Sequence, residues 1–169
     1  WRVVVGGTVV NVALPEIVDA LQMDLSGAEW TSSLYALVFA ALLIAVGATA
    51  DRFGRRRLFV LGAVVFALAS ALAAVAGSAE MLLLARALQG VGGAMVLPTS
   101  LSLVNANFHG RDRAAAFGIW GATIAGMAAV GPVLGGWLTT DFSWRPIFWI
   151  NPPLALLVIV GTLLLVPES

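Results

Sequence analysis

From Leu58 to Ala76 the chain reads "LFVLGAVVFALASALAAVA", a run without a charge and with Ser70 as its one polar side chain. Coiled as an α-helix at 1.5 Å per residue, such a run comes close to the ~30 Å thickness of a hydrocarbon layer. It is apolar all round, so it offers no face to water and must sit in a large protein core or in lipid. Composition separates the two. With 60% hydrophobic and 11% charged residues, a chain of 169 carries too little polar surface to coat a water-soluble globule. The solvent of this fold is lipid.

Six such spans are expected, near residues 1–21, 30–50, 58–77, 80–103, 113–138 and 146–166. Short connections of about 3 to 10 residues make successive helices antiparallel neighbours, so residues 1–169 are expected to form one all-α, polytopic membrane bundle of six transmembrane helices. A membrane barrel would instead show segments of about ten residues with alternating polarity. The chain opens at Trp1 without an initiator methionine, which reads as a piece of a longer protein whose first helix is truncated.

Several function classes fall away. There is no cysteine, and the single histidine, His109, lies in the connection "NFHGRDR", so neither a metal site nor an intramembrane Ser–His hydrolase is expected. No glycine loop precedes a Lys-Ser/Thr pair, so no cofactor or ATP drive is indicated. The formal charge of zero implies no nucleic-acid partner.

Charge placement is informative where net charge is not. Arg2, Arg52, Arg55, Arg56, Arg57, Arg111 and Arg113 fall on one side of the layer, Arg145 on the other and Arg86 inside the fourth span. Arginines near span ends are retained in the cytoplasm during insertion, which places both termini of this segment there. The cluster "DRFGRRR", residues 51–57, is thus a topology anchor touching lipid phosphates, or something more. Asp51 and Arg55 are four apart with Gly54 between them, so a tight helix-to-helix turn would hold carboxylate against guanidinium. Topology alone does not need Asp51.

Polar residues inside the spans mark the other candidates. In "RALQGVGGA", Arg86, Gln89, Gly90 and Gly93 are spaced 3, 4 and 7 apart and share one helical face. A charge at membrane depth faces a protein interior or a watery cavity, or, this near a span end, snorkels outward. Thr8 and Asn11 mark the first span and Thr99 the fourth, so spans one and four are expected to line a cavity while three and six face lipid. In the fifth span Pro132 removes a backbone donor, and Gly131 and Gly135 form a GxxxG pair that admits a neighbouring backbone. Trp144, Phe148 and Trp149 suit an aromatic belt at the outer interface.

Together these stretches resemble the signatures of the major facilitator superfamily, in its drug:proton antiporter branch of the fourteen-helix kind. "GATADRFGRRRL" is similar to the loop between the second and third helices, with Thr49 where a leucine is usual. "RALQGVGGA" is similar to the fourth-helix motif, "GMAAVGPVLGG" to the antiporter motif of the fifth with Met127 in place of a glycine, and "DFSWRPIFWINPP" to the entry into the sixth. "GGTVVNVALP" is similar to the opening motif, with Gly6 at the position of the family's aspartate.

The resemblance implies the N-terminal six-helix half, built of 3+3 inverted repeats, of a proton-coupled multidrug or small-molecule efflux antiporter working by alternating access. It implies a cytoplasmic gate loop at Gly47, Asp51, Arg52, Gly54, Arg55 and Arg56. Proton coupling and the cavity would fall to Arg86, Gln89, Thr8 and Asn11, and a flexible antiporter helix to Gly118, Gly131, Pro132, Gly135 and Gly136. With Gly6 in place, coupling would rest on Arg86 with water or on the missing half. The implied partners are membrane lipids, protons, a small lipophilic or cationic substrate and the missing C-terminal bundle, in a bacterial inner membrane. The alternative is a non-transporting, self-associating six-helix module or a degraded transporter fragment.

Overall fold

The computed structural model describes the backbone of residues 2–22 and 24–167, with the side chains of residues 2–11, 25, 28 and 32 outside the described set. The elements are helices α1 (Arg2–Leu21), α2 (Leu25–Phe53), α3 (Arg55–Ala74), α4 (Ala79–Asn107), α5 (Gly110–Asp141), α6 (Arg145–Trp149) and α7 (Asn151–Leu165). Among the described residues, five spans are long and apolar enough to cross a membrane by length and composition, from Glu29–Phe53 to Arg145–Leu165. The all-α expectation holds, and three boundaries differ for local reasons.

Helix α2 starts earlier than expected because Asp24 caps it, its Oδ1 accepting the Gly27 N–H at 2.6 Å. Helix α3 starts at Arg55, so Arg55, Arg56 and Arg57 lie in its first turn rather than in a loop, while Arg52 closes α2. Gly54 makes this possible: at φ +92° it reverses the chain in one residue, in a region L side chains avoid. The sixth span is two helices. Pro152 and Pro153 lack N–H groups and crowd the carbonyls one turn back, and the helix breaks at Ile150.

The core is built around α4, which packs chiefly on α3 and α2, while α1 packs on α5 and α3 also meets α6 and α7. Small residues set the approach. A Cβ on Gly92 would lie 2.7 Å from Phe66 N, and one on Gly90 would lie 2.8 Å from the Tyr35 carbonyl. Two helices therefore touch α4 backbone to backbone, as membrane helices without a hydrophobic drive between them do. Outward faces are apolar: Ile44 is 85% exposed, Val133 74% and Leu164 78%. Such surface is stable against lipid or another apolar partner, not against water.

The α3 and α6–α7 rods are pinned at both ends. Arg56, in the first turn of α3, donates from Nη2 to the Leu163 carbonyl in the last turn of α7 at 2.7 Å. Arg145, opening α6, donates from Nη1 to the Ala74 carbonyl at the end of α3 at 2.7 Å, its guanidinium 4.6 Å from the Trp144 ring centre. Each arginine thus satisfies an orphan carbonyl at the other rod's C-terminal end, where the helix dipole favours a cation.

The aromatic-belt expectation is corrected for two of its three residues. Trp144 and Phe148 are buried, packed edge to face at 6.1 Å in a core cluster with Ile17, Leu82, Leu138 and Ile147. Only Trp149 stands out, 47% exposed. The short helix α6 turns its first residues under the ends of α1, α3 and α5, so their rings fill the bundle instead of meeting an interface.

Candidate functional site

Two polar constellations stand out, one at the arginine-rich rim and one inside the bundle. At the rim, Arg55 Nη2 and Asp51 Oδ1 are 3.1 Å apart. The spacing of four anticipated this pair, although the residues sit on two helices. Asp51 lies in the last turn of α2, Arg55 begins α3, and the Gly54 reversal brings them together beside a small cleft of about 210 Å³ lined by Ala50, Asp51, Gly54 and Arg55. The pair is half open to solvent, so its worth to stability is small, roughly 0–1 kcal/mol. Such a pair is well suited to be exchanged for another partner. Arg52 is exposed at the end of α2, and Arg56 is engaged with α7. Thr49 satisfies its own hydroxyl on the Ala45 carbonyl at 2.7 Å, which makes the polar residue harmless there.

Inside the bundle, Arg86 is 1% exposed. Its Nε donates to the Thr31 carbonyl at 3.1 Å and its Nη1 to Gln89 Oε1 at 2.8 Å, while its guanidinium carbon stands 4.5 Å from the Tyr35 ring centre. Gln89 continues the chain, donating from Nε2 to Ser70 Oγ at 3.0 Å. Carbonyl and ring from α2, hydroxyl from α3, and guanidinium and amide from α4 form one connected network. Arg86 therefore does not snorkel, and in this conformation it is packed among three helices rather than open to a cavity. Thr99 lies toward the other end of α4, also buried, its hydroxyl bonded to the Met95 carbonyl.

Thr31, Tyr35 and Ser70 are members of this network that sequence reasoning did not select. A signal existed. Tyr35 is the only tyrosine, and Thr31 and Tyr35 are four apart, so they share one face of α2. Thr8 and Asn11 lie on α1, with side chains outside the described set.

The glycine motif of α5 divides. Gly131 and Gly135 are buried on the face toward α1, together with Leu138, and α5 runs unbroken through Pro132. A Cβ on Gly136 would stand 3.9 Å from Val12, ordinary contact. At Gly118, and likewise at Gly47 on α2, a Cβ would meet nothing within 4 Å. These two glycines answer to nothing inside the bundle. Among the described residues no group of three or more His, Asp or Glu side chains could hold a metal ion.

The chain is 45% identical over 164 residues to a puromycin resistance protein of Streptomyces alboniger, covering 96% of this chain and 33% of that protein. It is 43% identical over 155 residues to a methylenomycin A resistance protein of Bacillus subtilis, covering 91% and 33%. It is 42% identical over 168 residues to the multidrug efflux pump LfrA of Mycolicibacterium smegmatis, covering 99% and 33%. The chain thus spans about a third of the length of these relatives. Among solved structures, a bacterial homologue of the human lysosomal transporter Spinster, in an inward-facing and unoccupied conformation, superposes with a TM-score of 0.76 at 23% identity, over 99% of this chain and 41% of the other. That likeness speaks for the fold. The family model of the Major Facilitator Superfamily matches residues 3–169, and the chain belongs to that superfamily of membrane proteins.

Proposed function

We infer that this chain is the N-terminal half of a proton-driven exporter of small lipophilic or cationic compounds in a bacterial plasma membrane. The observation that carries the reading is the Asp51–Arg55 pair, held across the one-residue reversal at Gly54 on the arginine-rich rim. That rim is cytoplasmic by the arginine asymmetry, and both ends of the segment lie there. A weak, solvent-accessible ion pair beside a cleft is a latch: it holds one arrangement and releases at little cost when a second bundle rocks away.

Alternating access requires that second bundle, and the surface prepared for it includes Gly47 and Gly118, where the structure leaves room for a neighbouring backbone. The two arginine pins support inverted repeats, since they exchange under a twofold that relates α1–α3 to α4–α7, as do the α2–α4 and α1–α5 contacts; the extensive α3–α4 contact has only a slight counterpart between α1 and α6. Within the half, the Arg86–Gln89–Ser70 network joins the two repeats, so a shift of α4 against α2 and α3 would change the guanidinium's partners. We assign Arg86 and Gln89 to coupling on that ground, with Thr8 and Asn11 of α1 on the transport path.

The test is pH-gradient-driven movement of a lipophilic dye in proteoliposomes holding either the full-length transporter or the 169-residue chain. The full-length protein should transport, and its Arg86→Ala and Asp51→Asn variants should lose gradient-driven flux while remaining folded. The chain alone should not transport. Flux through the chain alone would favour a self-associating module, and full flux in both variants would remove the latch and the network from the mechanism.

A further inference from the structure

Helix α2 passes α4 at one height with their backbones in contact. A Cβ on Gly90 would lie 2.8 Å from the Tyr35 carbonyl and 3.2 Å from Phe39 N, so α2 rests directly on α4 there. Arg86 stands one turn before Gly90 on the same face of α4, and Thr31 one turn before Tyr35 on α2. The Arg86 side chain is thereby laid against α2. There it meets the Thr31 carbonyl, 3.1 Å from Nε, and the face of the Tyr35 ring, whose centre is 4.5 Å from the guanidinium carbon.

These contacts differ in kind. The N–H bonds to Thr31 and Gln89 act along fixed directions and are lost when one helix slides past another. A ring face attracts a cation over its whole area, so it can hold the guanidinium plane while the N–H groups change partners. The ring is itself fixed. It is 5% exposed and stacks with Phe39, one turn further along α2, with centres 6.1 Å apart and planes 18° from parallel. The same helix carries Asp51 in its last turn, so the element that forms the rim pair with α3 is also the one that holds Arg86 of α4.

We propose that Tyr35 is a positioning residue for gradient-driven transport, its ring face holding the Arg86 guanidinium in the plane from which Nε and Nη1 reach Thr31 and Gln89. This rests on the coupling role assigned to Arg86 under the proposed function. The work falls to the ring and not to the phenol oxygen, so another six-membered aromatic ring can replace tyrosine and an aliphatic chain of similar bulk cannot. Removing a desolvated cation–π contact lowers the population of the held geometry on the order of thirtyfold.

Proteoliposomes of the full-length transporter test this with one lipophilic cationic dye in two modes, accumulation driven by a pH gradient and downhill equilibration without one. Tyr35→Leu should lower driven accumulation roughly thirtyfold and leave downhill equilibration close to the parent's, a split that damaged packing does not produce. Tyr35→Met, which fills the space with a flexible chain, should do the same and serves where the leucine variant does not insert. Tyr35→Phe should recover most of the driven accumulation. Adding Tyr35→Leu to Arg86→Ala should cost nothing further, because the ring acts through the guanidinium. Equal loss in both modes would make Tyr35 a packing residue and overturn the proposal. A Tyr35→Phe variant as poor as Tyr35→Leu would move the role to the hydroxyl and overturn it as well. Normal driven accumulation in Tyr35→Leu beside an inactive Arg86→Ala would refute the positioning role and leave the coupling role of Arg86 standing, whereas normal accumulation in Arg86→Ala would remove both.

Discussion

Alanine at Gly92 should damage this bundle far more than alanine at Gly118, although both glycines lie on membrane helices and both belong to stretches that resemble family motifs. A Cβ at Gly92 would stand 2.7 Å from Phe66 N and 2.9 Å from the Gly62 carbonyl, both backbone atoms that no rotamer change moves aside. Ordinary contact needs 3.5 to 4.0 Å, so α3 and α4 must part by roughly 1 Å. A gap of that size forfeits a quarter to a half of each dispersion contact across the interface, and overpacking of this kind costs about 1–3 kcal/mol. About 2 kcal/mol shifts the folding equilibrium on the order of thirtyfold. Gly118→Ala meets nothing within 4 Å and gains helix propensity, so the bundle should be unaffected or slightly stabilised, by up to ~1 kcal/mol. Its effect should appear in flux, because its open face is the one we assign to the second bundle. The assay is reversible unfolding of the full-length variants in mixed micelles, read by tryptophan fluorescence, beside dye flux in proteoliposomes. A Gly92→Ala protein as stable as the parent would refute the close α3–α4 approach on which the core description rests.

Other consequences follow from single contacts. Arg145→Ala removes the cation from the end of α3 and should cost about 1–2 kcal/mol in the same unfolding assay, with Arg145→Lys recovering part of it; no loss would show that the pin is idle. Gly54→Ala must hold φ +92° with a side chain, at a cost of about 1–2 kcal/mol, and should loosen the Asp51–Arg55 pair, detectable as faster thiol reaction of an Ala50→Cys reporter, buried beside the same cleft in this cysteine-free segment. Arg86→Lys keeps the charge but cannot reach Thr31 and Gln89 together while stacking on Tyr35; flux should fall at least tenfold with expression retained, and normal flux would leave the guanidinium geometry irrelevant.

Much of this architecture was legible in the sequence because lipid imposes a coarse rule: long apolar runs, short polar turns. The Asp51–Arg55 contact was legible from spacing and from a glycine that only a reversal explains. What was not legible depended on partners that leave no trace in local pattern. Arg145 and Arg56 bond backbone carbonyls, which every residue carries, so nothing in "SWRP" or "RRRL" names Ala74 or Leu163 as the acceptor. Tyr35 joins Arg86 because Gly90 lets α2 approach α4 at that height, a fact about two surfaces rather than one stretch. Trp144 and Phe148 have the composition of an interfacial belt and the location of a core, and only the turn at α6 decides between them.

The central claim is that this half serves a gradient-driven exporter, and inverted membrane vesicles carrying the full-length protein test it most directly. Acidifying the lumen should drive a lipophilic cationic dye inward as protons leave, and an uncoupler should abolish that uptake within the time needed to dissipate the gradient. Uptake that persists after the gradient is gone, or that never follows it, would contradict the account.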